Sequence, residues 1–313
     1  MRDEYSHIGL ARLCAWFGLT RQAYYRYRSI AKSKSIEEDL LLQEILNIRK
    51  SHRRMGTRKL YDCLRPFMTE HGIKLGRDSL FSLVSAHNLQ VRRRRSRVRT
   101  TQSYHWLRTH PNRIRNVIPD APNQIWVSDI TYWKLEHTFV YISFITDAYS
   151  RAIVGYHVAP TLQAVESIQA LRMALASVHS LTGTLIHHSD RGMQYCSKEY
   201  VEILQSHGIL ISMTEHGDPL ENAIAERVNG ILKDEYLHEQ QVQTLAEARL
   251  VLEESVRLYN TERPHMSIGN RVPLHVHRQE TTDKEVKRLW RNYYRSNQTA
   301  VHLYQDEVSS VLE

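Results

Sequence analysis

From residue 124 onward the chain alternates between strand-like and helix-like runs in one order, and that order leaves few folds open. Ile125–Thr131 is a short strand-like run ending in a polar step. Thr138–Thr146 (TFVYISFIT) and Ala152–Val158 are rich in β-branched and aromatic residues, which suit a pleated, half-buried surface. Three such runs with short connections predict an antiparallel meander. Leu162–Val178 then predicts a helix, with Val165, Ile168, Leu171 and Leu175 on one face. Thr184–His187 reads as a fourth strand, Lys198–Gln205 as a helix, Ile209–Ser212 as a fifth strand, and Asn222–Tyr236 as one long helix.

Three strands, helix, strand, helix, strand, helix is the ribonuclease-H-like order, an α/β core with helices around a mixed five-stranded sheet. Fold alone does not name a reaction. An all-α region is expected in front of it. Leu10, Leu13, Cys14 and Phe17 recur at helical spacing, Gly18 breaks the pattern, and Thr20 is suited to cap a second helix carrying Arg21, Gln22, Tyr25 and Arg26. That is the outline of a helix-turn-helix, with Arg21, Gln22 and Arg26 expected to reach DNA. Residues 37–50 predict a further helix with Leu40, Leu41, Ile45 and Ile48 on its apolar side. Gly56 opens another containing Leu60, Leu64 and Phe67, and Arg77–His87 carries Leu80, Leu83 and Val84. This stretch suits a second helix-turn-helix and a plain packing module equally. The expected division is 1–35 and 36–91 helical, 92–120 a basic linker, 121–280 the catalytic core, and 281–313 a tail.

Charge divides the chain at the same place. Residues 1–123 hold 25 Lys/Arg against 10 Asp/Glu, and residues 124–313 hold 17 against 24. A basic half joined to an acidic half predicts a polyanion-binding arm on a different machine, with nucleic acid the expected polyanion. Residues 92–99 (RRRRSRVR) concentrate Arg92, Arg93, Arg94, Arg95, Arg97 and Arg99 without apolar periodicity. Such a tract gives affinity and salt dependence through phosphates, and no base specificity. No run of about 18 apolar residues predicts a membrane span, and the first residues lack the apolar stretch of a signal peptide. Cys14, Cys63 and Cys196 lie far apart, which argues against a disulfide framework or a cysteine zinc site. A cytoplasmic protein with reduced thiols is expected.

Three carboxylates sit where the predicted elements converge: Asp129 in the first strand, Asp190 directly after the fourth, and Glu226 on the helix after the fifth. Sixty residues separate the first two and thirty-five the last two. Breaking and joining a phosphodiester needs an activated oxygen nucleophile and a stabilised leaving oxygen, and two Mg²⁺ ions roughly 3.5–4 Å apart serve both. Mg²⁺ prefers hard oxygen ligands, so Asp129, Asp190 and Glu226 are the candidate catalytic and metal-binding residues. Two ions are expected, with Mn²⁺ able to substitute. Each acid taken singly also suits a structural role: a strand-end turn, an Asx-turn, a helix surface. Asp147 is the competing acid and reads as a turn former or a residue behind the ligands; Asn222 is expected behind them too. Lys233 lies two helical turns after Glu226, on the same face, placed to hold a DNA phosphate.

The chain also carries Trp126-Val127-Ser128-Asp129-Ile130-Thr131, Asp147 with Ser150-Arg151, and His188-Ser189-Asp190-Arg191-Gly192-Met193-Gln194-Tyr195. It continues with Asn222-Ala223-Ile224-Ala225-Glu226, Leu232-Lys233 with Glu235, and Tyr259-Asn260 followed by Arg263-Pro264-His265. In these residues, over roughly 8–277, it resembles the long-frame product of the insertion-sequence transposases of the IS-three family, relatives of retroviral integrases. The resemblance implies a DDE triad at Asp129, Asp190 and Glu226, Mg²⁺ dependence, and a DNA-holding Lys233. It implies work on double-stranded DNA, namely the terminal inverted repeats of an element and a target, by a homo-oligomer. It also implies an upstream short-frame partner or frameshift fusion. Glu221 stands where the family often has Asp, and Arg227 where it often has Ser. A prophage or retroelement-type integrase, and a DNA-binding regulator built on an inactive core, remain as other readings at this point. Trp290, Tyr293 and Tyr294 in the tail are open to packing on the core or to contacting a partner.

Overall fold

The computed structural model describes residues 9–91, 109–115, 117–178, 183–215, 222–278, 284, 286 and 288–290. They form two compact units: one from the residues up to 51 together with 56–90, the other from 52–55 and the residues from 91 onward. The arginine tract 92–99, Glu221, Tyr293 and Tyr294 lie outside the described residues.

The first unit is all helical. Helix α1 spans Leu10–Trp16 and α2 spans Arg21–Ser51. Gly18 turns the chain between them at φ 66°, and the Thr20 hydroxyl accepts the Ala23 amide at 3.0 Å as an N-cap. The helix expected at 37–50 is therefore the second half of α2. Nothing between Tyr27 and Glu37 is Gly or Pro, so no residue there stops the helix. Two expected stripe residues point outward: Phe17 is 58% exposed and Leu40 36%. Helix α3 spans Thr57–Glu70 and α4 spans Arg77–Ala86. Leu41 and Ile45 of α2 join Leu60, Leu64 and Met68 of α3, Ile73, and Leu80, Leu83 and Val84 of α4 in one buried cluster.

The second unit is built on strands β1 (Ile125–Lys134), β2 (Phe139–Asp147), β3 (Ile153–Ala159), β4 (Ile186–Ser189) and β5 (Leu210–Met213). Their order in the sheet is β3-β2-β1-β4-β5. The meander β1–β2–β3 is antiparallel, while β4 and β5 run parallel to β1. This is the expected mixed five-stranded sheet, with β1 at its centre. Helices α5 (Ala164–Ala176) and α6 (Lys198–Ser206) accompany one apolar layer, with Trp126, Ile145, Ile168, Leu171, Tyr200 and Leu204 buried together. Helices α7 (Ala223–Leu232) and α8 (Leu245–Thr261) contribute to a second cluster with Trp133, Ile142, Phe144, Val228, Ile231 and Leu252. Helix α9 (Pro273–His277) follows. Alternate residues of β1 feed different layers, because successive side chains of a strand point to opposite faces. Val165, expected in the stripe of α5, is 44% exposed. The helix expected over Asn222–Tyr236 changes form: after Leu232 it opens into a π-helical turn, Lys233–Leu237. No helix among the described residues is long and apolar enough to cross a membrane.

Where β3 meets α5 the contact admits no side chain. A Cβ on Gly155 would lie 2.2 Å from the Ala170 carbonyl oxygen and 2.9 Å from the Ala174 methyl. Backbone cannot yield as a side-chain tip can, so Gly155→Ala should cost the fold about 3 kcal/mol. Chemical denaturation of the full chain measures it, and a loss below about 1 kcal/mol would show that α5 slides freely on the sheet.

Candidate active site

Register brings the first two acids together. In the parallel pair β1/β4, Ser128 stands opposite Ser189, so Asp129 and Asp190 each follow a matched residue on adjacent strands. Helix α7 brings the third. Asn222 donates its side-chain amide to the Ser128 carbonyl at 3.0 Å, and Asn229 donates to Asp129 Oδ2 at 2.8 Å. Glu226 lies between these two ties, exposed, in the first turn of the helix. Asn222, expected behind the ligands, thus holds the strand residue next to Asp129.

The electrostatics of Asp129 follow from this placement. Its carboxyl is pushed up to about 8, first by burial, then by the negative charge of Asp190 and, more weakly, of Glu226. Hydrogen bonds from the Ile130 amide at 2.9 Å and from Asn229 pull the other way and do not overcome it. Asp190 accepts the Gly192 amide at 3.0 Å, so it also closes the turn read from the sequence. A Cβ on Gly192 would sit 3.0 Å from that same carboxylate oxygen. The acids act on one another through charge, but among the described residues no three His, Cys, Asp or Glu side chains are grouped so that they could hold a metal ion.

Lys233 follows α7 as the first residue of the π-helical turn. Its Nζ lies 3.9 Å from the centre of the Tyr132 ring. Burial lowers its pKa, and the charges of Asp234 and Asp129 partly offset this. Behind Asp129 runs a buried polar row: Ser128 Oγ and the Tyr200 hydroxyl both meet His187 Nε2, at 2.7 and 3.0 Å. Burial, aided by His188, pushes His187 down to about 3, so the ring is neutral.

Asp147 is elsewhere. It is fully buried at the end of β2, where Oδ1 accepts the Ser150 amide and hydroxyl at 2.7 and 2.6 Å and Oδ2 accepts the Asn123 amide at 2.7 Å. Burial alone would raise its pKa, but His277 and Ser150 hold it below the ordinary value. Of the two roles the sequence left open, this geometry is the turn former's. Arg21, Gln22 and Arg26 are exposed on the first turns of α2, in the helical unit. The expected contacts of Arg92, Arg93, Arg94, Arg95, Arg97 and Arg99 lie outside the described residues.

The downstream motif residues brace this unit. Arg263, 1% exposed, donates twice to Glu235 at 2.7 Å. The Asn260 amide pairs with the backbone of Ile153 at 2.9 and 3.0 Å, and Tyr259 donates to the Arg151 carbonyl. Trp290 packs on the same core, with the Arg151 guanidinium 4.4 Å from its ring centre. Two site neighbours escaped the sequence reading. Asn229 was detectable as the residue three positions after Glu226 on one helix face. Tyr132 carried no sequence signal beyond lying three residues after Asp129.

The family described as "Integrase core domain" matches residues 119–219, and a second of the same description matches 207–273. The chain is 36% identical over 265 residues to the insertion element IS600 uncharacterized 31 kDa protein of Shigella sonnei, covering 83% of this chain and 96% of that one. It is 31% identical over 280 residues to the transposase for insertion sequence element IS629 of Shigella sonnei, covering 87% and 92%. Among solved structures, the HTLV-2 integrase catalytic core domain in complex with magnesium matches 50% of this chain and 97% of its own, at 20% identity and a TM-score of 0.40. With a relative this similar across nearly its whole length, the chain belongs to the insertion-sequence transposases, DDE polynucleotidyl transferases carrying an integrase core domain.

Proposed function

We propose that this protein nicks DNA at the ends of an insertion element and joins the freed 3′-OH to another phosphodiester, with Asp129, Asp190 and Glu226 holding two divalent cations. The observation that carries this is the convergence of three acids: Asp129 and Asp190 each follow one residue of the matched pair Ser128 and Ser189, and Glu226 lies on α7 between the two side chains that tie that helix to β1, with burial first and then the charges of Asp190 and Glu226 raising Asp129. Such a cluster is costly empty and favourable around a cation. The donor set is hard oxygen only, which fits Mg²⁺ with Mn²⁺ as substitute. The Asn229 side-chain oxygen is buried without a hydrogen-bond partner, an unmet acceptor on the side chain that donates to Asp129. Bound cations would supply an activated oxygen nucleophile and a stabilised leaving oxygen. Ile130 and Asn229 orient Asp129, and Lys233 is placed to hold a strand phosphate as a point charge. The basic N-terminal residues, Arg21, Gln22, Arg26 and the 92–99 tract included, supply the phosphate contacts that bring terminal repeats and target together. A homo-oligomer does this in the synapse, with an upstream short-frame product as partner or fusion. Nicking of a labelled end substrate by the full chain, present in Mg²⁺ and absent in EDTA, tests the reading.

Proton linkage gives a second test. Cation binding must displace the proton that Asp129 keeps up to about 8. Affinity for Mn²⁺ should climb by about tenfold per pH unit from 6 to 8 and then level off. Calorimetry in two buffers of different ionisation enthalpy should find about one proton released near pH 6.5 and none at 9. Without metal the folded state holds this proton where the unfolded chain has lost it, so stability should fall as pH rises from about 4 to about 8. A pH-independent affinity would remove Asp129 from the site. Asn229→Leu keeps volume but deletes the donor to Asp129, and should weaken Mn²⁺ binding at pH 7 by about tenfold. Unchanged affinity would leave Asn229 as packing alone.

A further inference from the structure

We propose that Tyr132 is the positioning residue that holds the Lys233 ammonium beside the acidic cluster, so that a phosphate of the cleaved strand meets a cation already in place. The inference rests on the functional reading above and adds a residue to it. Lys233 Nζ stands 3.9 Å from the Tyr132 ring centre, a close cation–π contact. Tyr132 lies on β1 three residues beyond Asp129 and opposite Tyr141. Its own ring is braced edge-on by Phe139, with centroids 6.0 Å apart. The contact therefore ties the end of α7 to the strand that carries the first acid.

The chemistry of the contact matters. A carboxylate partner would hold a lysine by neutralising it and occupying its N–H donors. An aromatic face attracts the charge and leaves the donors available. Among the described residues Lys233 Nζ makes no salt bridge. A lysine stem loses much rotamer freedom when ordered, and here the ring has met that cost before DNA arrives. The backbone supports the same placement. Lys233 opens the π-helical turn, where the helix widens and the following residues are redirected. Glu235 then goes inward to Arg263, and Tyr236 and Leu237 into the core.

The test replaces Tyr132 in the full chain by phenylalanine bearing none, one, two or three ring fluorines, which drain the π face while leaving ring shape nearly unchanged. Single-turnover strand joining on an end substrate in Mg²⁺ should fall stepwise, by about tenfold at three fluorines relative to Tyr132→Phe. Tyr132→Leu should lose about as much as Lys233→Ala, and the double variant should be no worse than Lys233→Ala alone. A flat fluorine series, or losses that multiply in the double variant, would overturn the proposal. Should Tyr132→Leu fail to fold, the fluorine series decides by itself. Wild type without Mg²⁺-dependent nicking would instead sink the functional reading, whereas active wild type with a flat series sinks only this one.

Discussion

Asp190→Asn should reduce nicking and joining by at least about a thousandfold, the scale of losing several kcal/mol of charge stabilisation at the reacting phosphate. Binding of duplex DNA should stay within about twofold, since phosphate affinity comes from the basic half. The same substitution should raise the melting temperature of the metal-free protein. Asp190 is the largest charge acting on Asp129, whose carboxyl stands at about 8. An Asn there removes that repulsion and can still accept the Gly192 amide through its side-chain oxygen. The variant should also lose the thermal upshift that Mg²⁺ gives wild type. A residue that costs stability while metal-free and is needed for turnover is the pattern of a functional site. Turnover within about tenfold of wild type, or a variant that melts lower, would return Asp190 to a purely structural turn.

Arg263→Met should be the most damaging single substitution to the fold of the catalytic unit, at about 3–5 kcal/mol. Arg263 is 1% exposed and gives two parallel hydrogen bonds to Glu235, whose side chain is 14% exposed, and a third to the Pro264 carbonyl at 3.1 Å. Burial opposes the charge on Arg263, and Glu235 restores it. Removing the guanidinium takes from the Glu235 carboxylate, in a low-dielectric setting, the two charge-assisted hydrogen bonds that it accepts from Arg263. The unfolding transition of the sheet-containing unit should drop by roughly 10 °C. The double variant Arg263→Met with Glu235→Leu should recover most of this, because removing both charges removes the desolvation penalty. A single variant that melts within about 2 °C of wild type, or a double variant worse than the single, would show that the pair is not what holds the π-helical turn to the end of α8.

The order of strands and helices was legible because it is written in short-range pattern: β-branched runs at Thr138–Thr146 and Ala152–Val158, and apolar spacing at Ile168 and Leu171. The stop at Gly18 and the cap at Thr20 are equally local. Patterns fail where a neighbour, not the chain itself, decides. Leu40 and Val165 carry the right spacing and face solvent, because no element among the described residues covers them. The helix read after Thr20 and the further helix read at 37–50 are one helix, because nothing between them is Gly or Pro. The π-helical turn after Leu232 had no signature. It forms where Glu235 is drawn inward to Arg263, a partner twenty-eight residues downstream.

The sequence by itself determined which residues are candidates for the chemistry: three acids on predicted elements, a basic half, and motifs shared with a family. Those are matters of residue type and spacing, which covalent order fixes. Only the tertiary structure decided what surrounds each one. Asp129 stands near 8 because burial and the charges of Asp190 and Glu226 converge on it from β4 and α7. Asp147, an acid of the same kind, is held below its ordinary value because His277 and Ser150 meet it instead. Asn229 reaches Asp129, and the Tyr132 ring meets Lys233, because β1 and α7 lie against each other. Electrostatic energy depends on distance and on excluded water, and at Asp129 both arise from contacts with residues distant in the chain.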